Sequence, residues 1–480
     1  MAALLVILPV LAVVLLNLAG RKIANALALP VAGILCAAEA ACAALAPAEF
    51  WSQAPSFLAS LDLTGLLATA FSVDSLSRVM YLSIALVGLS SAFVARYNRS
   101  NEEREFRFAN LLLLILASMN GIVLVRDLFA LYVFLEITAV ATLVLIVVER
   151  GRTAFEGAFK YMVLGAVATS LILLGLGLLF IVVGSTSFDA VATALASTKV
   201  NPLTLVALAL FLSGLAIKGG MVPFHGYLPD AYSSAPSQVS VLLAGVVTKA
   251  SGVYTLIRLV SAVFGNSARI QPVLLVIAAA SIVIGALTAL TQKDMKRMLA
   301  YSSISQVGYI VLGLAAGNKV GLAGAVLHLF NHSIFKTCLF VNTAAVEKEA
   351  GTCDMDQLGG ISAKMPVTGT TSVIAFLSTA GVPPLSGFWS KLLIIVGVWQ
   401  AGHPVFAAIG VLASVITLGY FLSMQRRVFF GKLAESCAGL KEANAWCLVP
   451  ALLLAAITLA LGVSMPWLFN TFLLPLERIL

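Results

Sequence analysis

The sequence is dominated by apolar runs that are long enough to cross a lipid bilayer. A membrane-spanning helix needs about 20 apolar residues, and the chain offers fourteen candidate runs. They lie at residues 3–19, 24–46, 76–95, 108–125, 128–148, 159–183, 203–235, 237–262, 272–291, 297–316, 320–345, 365–402, 404–425 and 446–472. Hydrophobic residues make up 61% of the chain and charged residues only 10%, which is typical of polytopic helical membrane proteins. We therefore predict an all-α membrane protein with about 14 transmembrane helices.

The basic residues of the predicted loops divide unevenly between the two sides of the membrane. If the first loop is cytoplasmic, the odd-numbered loops hold seventeen of them, and the even-numbered loops with the C-terminus hold five. The first group comprises Arg21, Lys22, Arg96, Arg99, Arg104, Arg107, Arg150, Arg152, Lys293, Lys296, Arg297, Lys348, Lys364, Arg426, Arg427, Lys432 and Lys441, and the second comprises Arg126, Lys199, Arg269, Lys319 and Arg478. Cytoplasmic loops carry an excess of Lys and Arg. The pattern predicts a prokaryotic inner (cytoplasmic) membrane protein with both termini on the outer side. It also accounts for the net charge of +8 without a nucleic-acid partner.

Two of the apolar runs are too long for one straight helix and carry helix-breaking residues. The run 203–235 contains Gly219, Gly220 and Pro223, and the run 365–402 contains Pro383 and Pro384. Proline removes a backbone hydrogen bond and clashes with the preceding turn. Within a membrane, the freed backbone is tolerated only inside protein or beside water. We therefore predict that helices 7 and 12 cross the membrane in two pieces.

The spacing of the two breaks predicts an internal repeat. Five spans separate them, so the two broken helices would run in opposite directions, as in inverted-repeat transporters. The chain would then divide into helices 1–3 at residues 1–107, a first repeat of helices 4–8 at 108–262, a second repeat of helices 9–13 at 263–425, and helix 14 at 426–480.

Seven ionisable side chains lie inside the apolar spans, near the middle of the membrane. They are Glu136, Lys218, Lys249, His328, His332, Lys336 and Lys391. A charged side chain at the bilayer centre costs about 2.5–3.5 kcal/mol on insertion scales, so such residues usually face a protein interior or a water-filled path. His328, His332 and Lys336 follow each other at intervals of four and share one helix face. We predict that the seven form a proton pathway along the membrane plane, which we call the polar row.

Glu136 and Lys218 would start the transfer as a coupled pair. Burial disfavours the charged form of an ionisable group, and a nearby carboxylate favours the ammonium form of a lysine. If Glu136 approaches Lys218 the two titrate as a unit, and withdrawal of Glu136 would release the proton. Lys249 and the histidines would pass it on, since imidazole suits transfer near neutral pH. Lys391 would be the last site before the exit.

Structural readings of the same residues remain open. Glu136 could pair with a neighbouring helix, the two histidines could be satisfied core residues, and Lys336 could simply reach a carbonyl. Asp74 and Arg78 have the spacing of a local pair within one helix, and we expect Arg258 to anchor a span end at the membrane interface. Glu39 has no assigned role.

The sequence contains no sign of a bound cofactor. Six cysteines form no Cys-x-x-Cys pair, and four histidines lack cysteine or carboxylate companions at ligand spacing, so we expect neither an iron–sulfur cluster nor a structural zinc. We also find no flavin, quinone or haem motif. Any redox chemistry would belong to partner chains.

Six stretches carry a resemblance to a known family. They are FALYVFLE ending at Glu136, AFKYMVLGAVATS from Ala158, KGGMVPFHGYLPDAYSSAPSQVSVLLAGVVTK from Lys218, QKDMKRMLAYSSISQVGY from Gln292, HLFNHSIFKTCLF from His328 and GVPPLSGFWSK from Gly381. Over roughly residues 75–430 the sequence resembles the antiporter-like, proton-translocating subunits of respiratory complex I, of Mrp-type cation/proton antiporters and of energy-converting membrane-bound hydrogenases.

The resemblance implies both site residues and partners. The ionisable residues of the family's helices 5, 7 and 8 match Glu136, Lys218 and Lys249, in that order. Those of helix 11 match His328 and His332, and that of helix 12 matches Lys391. It implies a protein without a redox centre of its own, which moves H⁺ or Na⁺ beside other membrane subunits, including homologous antiporter-like ones. The whole complex would be a redox-driven pump, such as NADH:quinone oxidoreductase or a group 4-type hydrogenase, or a non-enzymatic antiporter. The alternatives are a stand-alone Na⁺/H⁺ or solute/ion antiporter and a purely structural scaffold.

Overall fold

The computed structural model describes residues 2–47, 50–51, 72–99, 101–149, 151–197, 201–265 and 269–468. Over these ranges the chain is built from helices. The first nine are α1 (Leu4–Leu18), α2 (Arg21–Leu45), α3 (Ser75–Tyr97), α4 (Glu102–Leu124), α5 (Leu128–Ile146), α6 (Arg152–Val183), α7 (Phe188–Ser197), α8 (Pro202–Lys218) and α9 (Tyr227–Ser234). The others are α10 (Ser237–Phe264), α11 (Ile270–Leu290), α12 (Met295–Ala315), α13 (Lys319–Ala350), α14 (Pro366–Ala380), α15 (Ser386–Gln400), α16 (Pro404–Val428) and α17 (Ala445–Leu468).

Ten of these helices are long and apolar enough to cross a membrane, and the protein is therefore a multi-pass membrane protein. They are α2, α3, α4, α5, α6, α10, α11, α12, α16 and α17. The helices α1 and α8 are apolar but shorter. The helix α13 is 32 residues long and carries the histidine-lysine face inside the protein.

Short polar residues define where several of the helices begin. The side chain of Asp127 accepts hydrogen bonds from the backbone N–H groups of Phe129 and Ala130, both at 2.9 Å. Asn101, Asp294 and Asn318 cap α4, α12 and α13 in the same way. Such caps satisfy backbone donors that have no partner within the helix, and they fix the residue at which each helix starts.

Helix α10 lies at the centre of the molecule. Every residue of its most apolar stretch is buried by the protein, whereas only a third of the corresponding stretch of α6 is buried. The backbone of α10 is π-helical at Leu243–Val247, Lys249–Tyr254 and Val260–Phe264. π-Helical turns are rare and frequently occur at functional sites. The helix packs against α3 and α13.

The chain leaves helical geometry between α8 and α9, and its backbone stays satisfied there. Helix α8 ends at Lys218 and α9 begins at Tyr227. The hydroxyl of Tyr227 donates to the carbonyl of Ile217 at 2.8 Å, and the N–H of Val222 donates to Ser281 Oγ at 3.0 Å. Gly220 has a φ of +66°, a conformation that favours glycine.

A similar interruption separates α14 from α15. Helix α14 ends at Ala380, Gly381 follows with a φ of +89°, and α15 begins at Ser386. A glycine of a neighbouring helix packs closely against the backbone of each interruption. A Cβ on Gly252 of α10 would lie 2.3 Å from the backbone nitrogen of Gly219, and one on Gly462 of α17 would lie 2.3 Å from the carbonyl oxygen of Pro384.

Two expectations about charged residues at the span ends are wrong. Asp74 does not pair with Arg78; it forms a two-pronged ion pair with Arg258, with N–O distances of 2.5 and 2.8 Å. Arg258 is buried in this pair and does not anchor at the membrane interface. Arg78 instead donates to the carbonyls of Ala43 and Ala46 at the end of α2. The pair joins the start of α3 to α10, and its two residues lie 184 positions apart in the chain.

Some of the predicted features fall outside the described residues. Among the loop residues these are Arg150, Lys199 and Arg478, and the same holds for the final residues, 469–472, of the last apolar run.

Candidate functional site

Lys218 of α8 and Glu136 of α5 are close enough to interact, but no ion pair within 4 Å joins them among the described residues. Lys218 is the last residue of α8 and is 7% exposed, and Glu136 lies in the middle of α5, partly buried. The two side chains interact electrostatically. Glu136 Oε1 is buried and has no hydrogen-bond partner among the described residues. A cavity of about 20 Å³ beside Lys218 is lined by Tyr161, Tyr227 and Ser251, and it is large enough for one water molecule.

Lys249 lies near the middle of α10 and is completely buried. Its ammonium group donates to the carbonyl of Ala244 on the same helix. Lys249 also acts electrostatically on His332 and Lys336 of α13. π-Helical turns lie on both sides of Thr248, the residue before Lys249, so the lysine occupies the irregular part of the helix.

The histidines of α13 are both fully buried, but their surroundings differ. Their rings lie 6.3 Å apart and nearly parallel. His328 Nδ1 is 2.8 Å from Ser390 Oγ, and its Nε2 is 3.2 Å from Gln306 Oε1. Neither ring nitrogen of His332 has a hydrogen-bond partner among the described residues. Buried polar groups are almost always hydrogen-bonded, so His332 is one of the exceptions among the described residues.

Lys336 is one turn beyond His332 and is also completely buried. Its ammonium group donates to the carbonyl of Leu299 at 2.9 Å and lies 5.6 Å from the ring centre of Phe421. The carbonyl contact that we considered as a structural alternative is therefore present. Lys336 nevertheless interacts electrostatically with Lys249 and Lys391.

Lys391 lies at the second interruption and is 3% exposed. Its ammonium group is 4.4 Å from the ring centre of Tyr309 and 3.4 Å from the carbonyl oxygen of Ala380, the last residue of α14. It acts electrostatically on His328, His332 and Lys336. Both the aromatic face and the carbonyl oxygen stabilise a cation at this position.

The structure places the seven predicted residues in two groups. The central cluster, which we define as Lys249, His328, His332, Lys336 and Lys391, is electrostatically connected across α10, α13 and α15. Glu136 and Lys218 form a separate pair. The two groups meet through the backbone, because Gly252, one turn from Lys249, packs directly on Lys218 and Gly219.

Neutral polar residues complete the cluster, and the sequence analysis did not predict them. Gln306 and Ser390 bind His328, and Asn331 donates to Ser390 Oγ and to the carbonyl of Ser386. Tyr309 covers Lys391. The spacing of Gln306 and Tyr309, three residues apart on α12, could have indicated a shared polar face.

A second unpredicted feature is a cavity, which we call the vestibule, beside the end of α13 and the starts of α4, α6, α10 and α12. This cavity of about 550 Å³ is bordered by Arg104, Glu149 and Ser237. At its base Lys296, only 4% exposed in its side chain, pairs with Glu347 at 2.7 Å. The hydroxyl of Ser237, at the start of α10, also donates to Glu347.

Comparison with known proteins shows the family to which the chain belongs. Residues 125–417 match the family described as the transmembrane region of NADH:quinone oxidoreductase and Mrp antiporter proteins. The chain belongs to this family. All seven residues of the polar row lie inside the matched region.

Relatives of this antiporter-like family match most of the chain. NADH-quinone oxidoreductase subunit N of Desulforudis audaxviator is 38% identical over 76% of this chain and 73% of its own length. A Na⁺/H⁺ antiporter protein of Alkalihalophilus pseudofirmus is 30% identical over 85% of this chain and 83% of its own. One protein of the Mrp complex of Dietzia sp. superposes with a TM-score of 0.87 at 25% identity, covering 100% of this chain and 97% of that one.

Proposed function

We propose that this chain is a proton-translocating, antiporter-like subunit of a multi-subunit membrane complex of the complex I, Mrp or membrane-hydrogenase type. The observation that carries the proposal is the central cluster, in which three buried lysines and two buried histidines from three helices influence one another. Several like charges inside a membrane protein are costly, and such residues mark ion and proton pathways. The names of the relatives support assembly with other membrane subunits, including homologous ones.

The membrane arrangement that we propose has fourteen spans. To the ten apolar helices we add α1, α13 and two discontinuous helices, formed by α8 with α9 and by α14 with α15. Both termini then lie on the outer side of a prokaryotic inner membrane. Helices 4–8 at residues 108–262 and helices 9–13 at 263–425 form two inverted five-helix units, flanked by 1–107 and 426–480. The two interruptions support this repeat, because a glycine of a neighbouring helix packs closely against the backbone of each.

The transfer begins at the pair of Glu136 and Lys218. An ammonium beside a carboxylate keeps its proton, and movement of the carboxylate leaves the lysine as an unpaired buried cation that favours proton release. The small cavity beside Lys218 offers a place where water can accept that proton. Ser251 lines the same cavity and lies on α10, two residues from Lys249.

The central cluster then carries the proton along the membrane plane. Only a limited number of its five basic groups can be charged together, because like charges in a low-dielectric interior repel strongly. A proton that arrives at Lys249 therefore favours deprotonation of its neighbours in α13 and α15. His332, with both ring nitrogens unoccupied by partners among the described residues, can accept a proton on one nitrogen and release one from the other.

The vestibule gives protons access to the central cluster from the side of the odd-numbered loops. Its base, the pair of Lys296 and Glu347, is connected to α10 through Ser237. Further along, Ser240 donates to the carbonyl of Tyr232, and the Tyr232 hydroxyl is 3.0 Å from Thr248 Oγ1, next to Lys249. These polar atoms outline a route from the vestibule to the central cluster.

Proton pumping by the assembled complex tests the proposal. We expect Glu136→Gln and Lys218→Ala to assemble normally but to lower translocation by at least about tenfold, since a positioned proton-transfer group contributes about 10²–10⁴-fold. Exposed Glu435→Gln and Lys364→Ala are matched controls. Normal pumping by both Glu136→Gln and Lys218→Ala would instead favour a purely structural role for the chain as a scaffold of the complex. Ion exchange by the chain purified without partners would favour the stand-alone antiporter.

A further inference from the structure

Glu39 is a buried carboxyl group that the proposed pathway does not use. It lies on α2, outside the region that matches the family, and is 3% exposed. Its Oε2 accepts a hydrogen bond from Asn120 Nδ2 of α4 at 2.9 Å. Its Oε1 is buried and has no hydrogen-bond partner in the part of the chain that the structure describes.

The groups around Glu39 are polar or titratable but not cationic. Helix α4 contributes Asn120, α3 contributes the fully buried Tyr81, and α2 itself contributes Cys36. Helix α1 contributes the carbonyl of Leu5, to which Asn120 Nδ2 also donates, at 3.0 Å.

Among the described residues, the cations near this site are bound to other groups. Arg78 of α3 donates to the carbonyls of Ala43 and Ala46, further along α2. Arg126 and Arg258 act electrostatically on Tyr81. Both, however, are paired with Asp74, at 3.5 and 2.5 Å. Within the described ranges, Glu39 therefore has no ion-pair partner.

One potential donor at this site is unused, because the buried hydroxyl of Tyr81 has no hydrogen-bond partner among the described residues. Asn120 directs its amide hydrogens to Glu39 and Leu5, and its Oδ1 is left without a partner among the described residues, as is Glu39 Oε1. An ionised carboxylate can only accept hydrogen bonds, whereas a protonated carboxyl also donates one. An isolated buried charge is so unfavourable that the group becomes neutral instead.

We propose that Glu39 is a second proton-binding site, held as a neutral carboxylic acid among α2, α3 and α4 and separate from the polar row. It does not depend on the function proposed above. An ion-paired carboxylate such as Glu347, bound to Lys296, provides the contrast within the same chain. The site takes a proton as its ligand, and Asn120 holds the carboxyl group in place.

Infrared spectroscopy of the complex in membranes tests this proposal. A protonated carboxyl group gives a carbonyl stretching band that a carboxylate lacks. We expect Glu39→Gln to remove one such band and Glu347→Gln to remove none. Asn120→Leu should shift the band by deleting the hydrogen bond to Oε2, which keeps the test available if Glu39→Gln fails to assemble. Loss of a carboxylate band in Glu39→Gln would overturn the proposal, as would a sodium-dependent carboxylate band, which would assign the site to an alkali cation.

Carbodiimide labelling gives an independent chemical readout. The O–H proton of a carboxylic acid moves to one nitrogen of dicyclohexylcarbodiimide while the carboxyl oxygen bonds to its central carbon, and rearrangement leaves a stable N-acylurea. We expect peptide mass spectrometry of the treated complex to find the adduct on Glu39 but not on Glu347. An adduct on Glu347 without one on Glu39 would contradict the proposal.

Discussion

At the residue scale, the two histidines of α13 show how neighbouring imidazoles acquire different roles. Both ring nitrogens of His328 have partners, because Nε2 lies 3.2 Å from Gln306 Oε1 and Nδ1 lies 2.8 Å from Ser390 Oγ. These partners orient the ring. His332 has no such partners among the described residues and interacts with Lys249, Lys336 and Lys391. We infer that His328 positions the cluster and His332 exchanges protons.

This difference predicts the effect of replacing His332. We expect His332→Phe to lower proton translocation at least about tenfold, because phenylalanine fills the site without a proton-binding nitrogen. His403→Phe, which changes a histidine at the start of α16, is the control. Proton translocation by both variants is measured in vesicles that contain a pH-sensitive dye. Equal translocation by the two would show that His332 is a packing residue.

Residue type decided which parts of the site could be predicted from sequence. A lysine inside an apolar run is conspicuous because burial of its charge is so unfavourable, and Lys249 and Lys391 were identified on that ground. Gln306 and Ser390 are neutral, so nothing in the apolar pattern marks them. Lys296 lies at the start of its helix, where charged residues are common, and its pairing with a residue of α13 depends on how α12 and α13 pack.

At the element scale, close backbone contact between α10 and the end of α8 joins the two groups of the polar row. We predict that Gly252→Ala destabilises the protein by about 1–3 kcal/mol, because its Cβ would meet the backbone of Gly219 at 2.3–2.4 Å. The control is Gly165→Ala in α6, where a Cβ meets no atom within 4 Å. Thermal unfolding of the detergent-purified complex measures the difference. Equal unfolding midpoints would contradict this packing.

The ion pair of Asp74 and Arg258 fixes the C-terminal half of α10 to the start of α3. We predict that Asp74→Asn costs about 3–5 kcal/mol, because it leaves a buried guanidinium unpaired. Asp356→Asn changes an exposed aspartate that pairs with Lys293 and Arg427, so it should have little effect. Denaturant-induced unfolding compares the two variants. A similar small effect of both would show that Arg258 finds another partner.

Local sequence predicted the helices better than the contacts between them. Apolar length located the long helices, and glycine and proline located the interruptions after Lys218 and Ala380. The π-helical turns of α10 were not predicted, since they depend on packing against other helices. The pairing of Asp74 with Arg258 was missed for the same reason, because the two residues lie 184 positions apart and periodicity within one helix favoured Arg78.

At the scale of the whole molecule, the proposed topology places the vestibule on the cytoplasmic side. The native cysteines are buried except for Cys42, which is partly exposed, so a Cys42→Ser background gives little unwanted labelling. We predict that Lys293→Cys reacts with a membrane-impermeant maleimide only from the cytoplasmic side and Lys319→Cys only from the outside. Labelling of both from one side would refute the fourteen-span arrangement.

In the proposed mechanism, protons pass through Lys249 in the centre of the bundle. Proton translocation by the assembled complex in sealed vesicles tests this most directly when Lys249→Met is compared with Lys364→Met, since methionine is an unbranched, neutral replacement that adapts to the available space. We predict that Lys249→Met assembles but translocates at least about tenfold more slowly, while Lys364→Met is unchanged. Translocation at the wild-type rate by an assembled Lys249→Met complex would show that protons do not pass through Lys249.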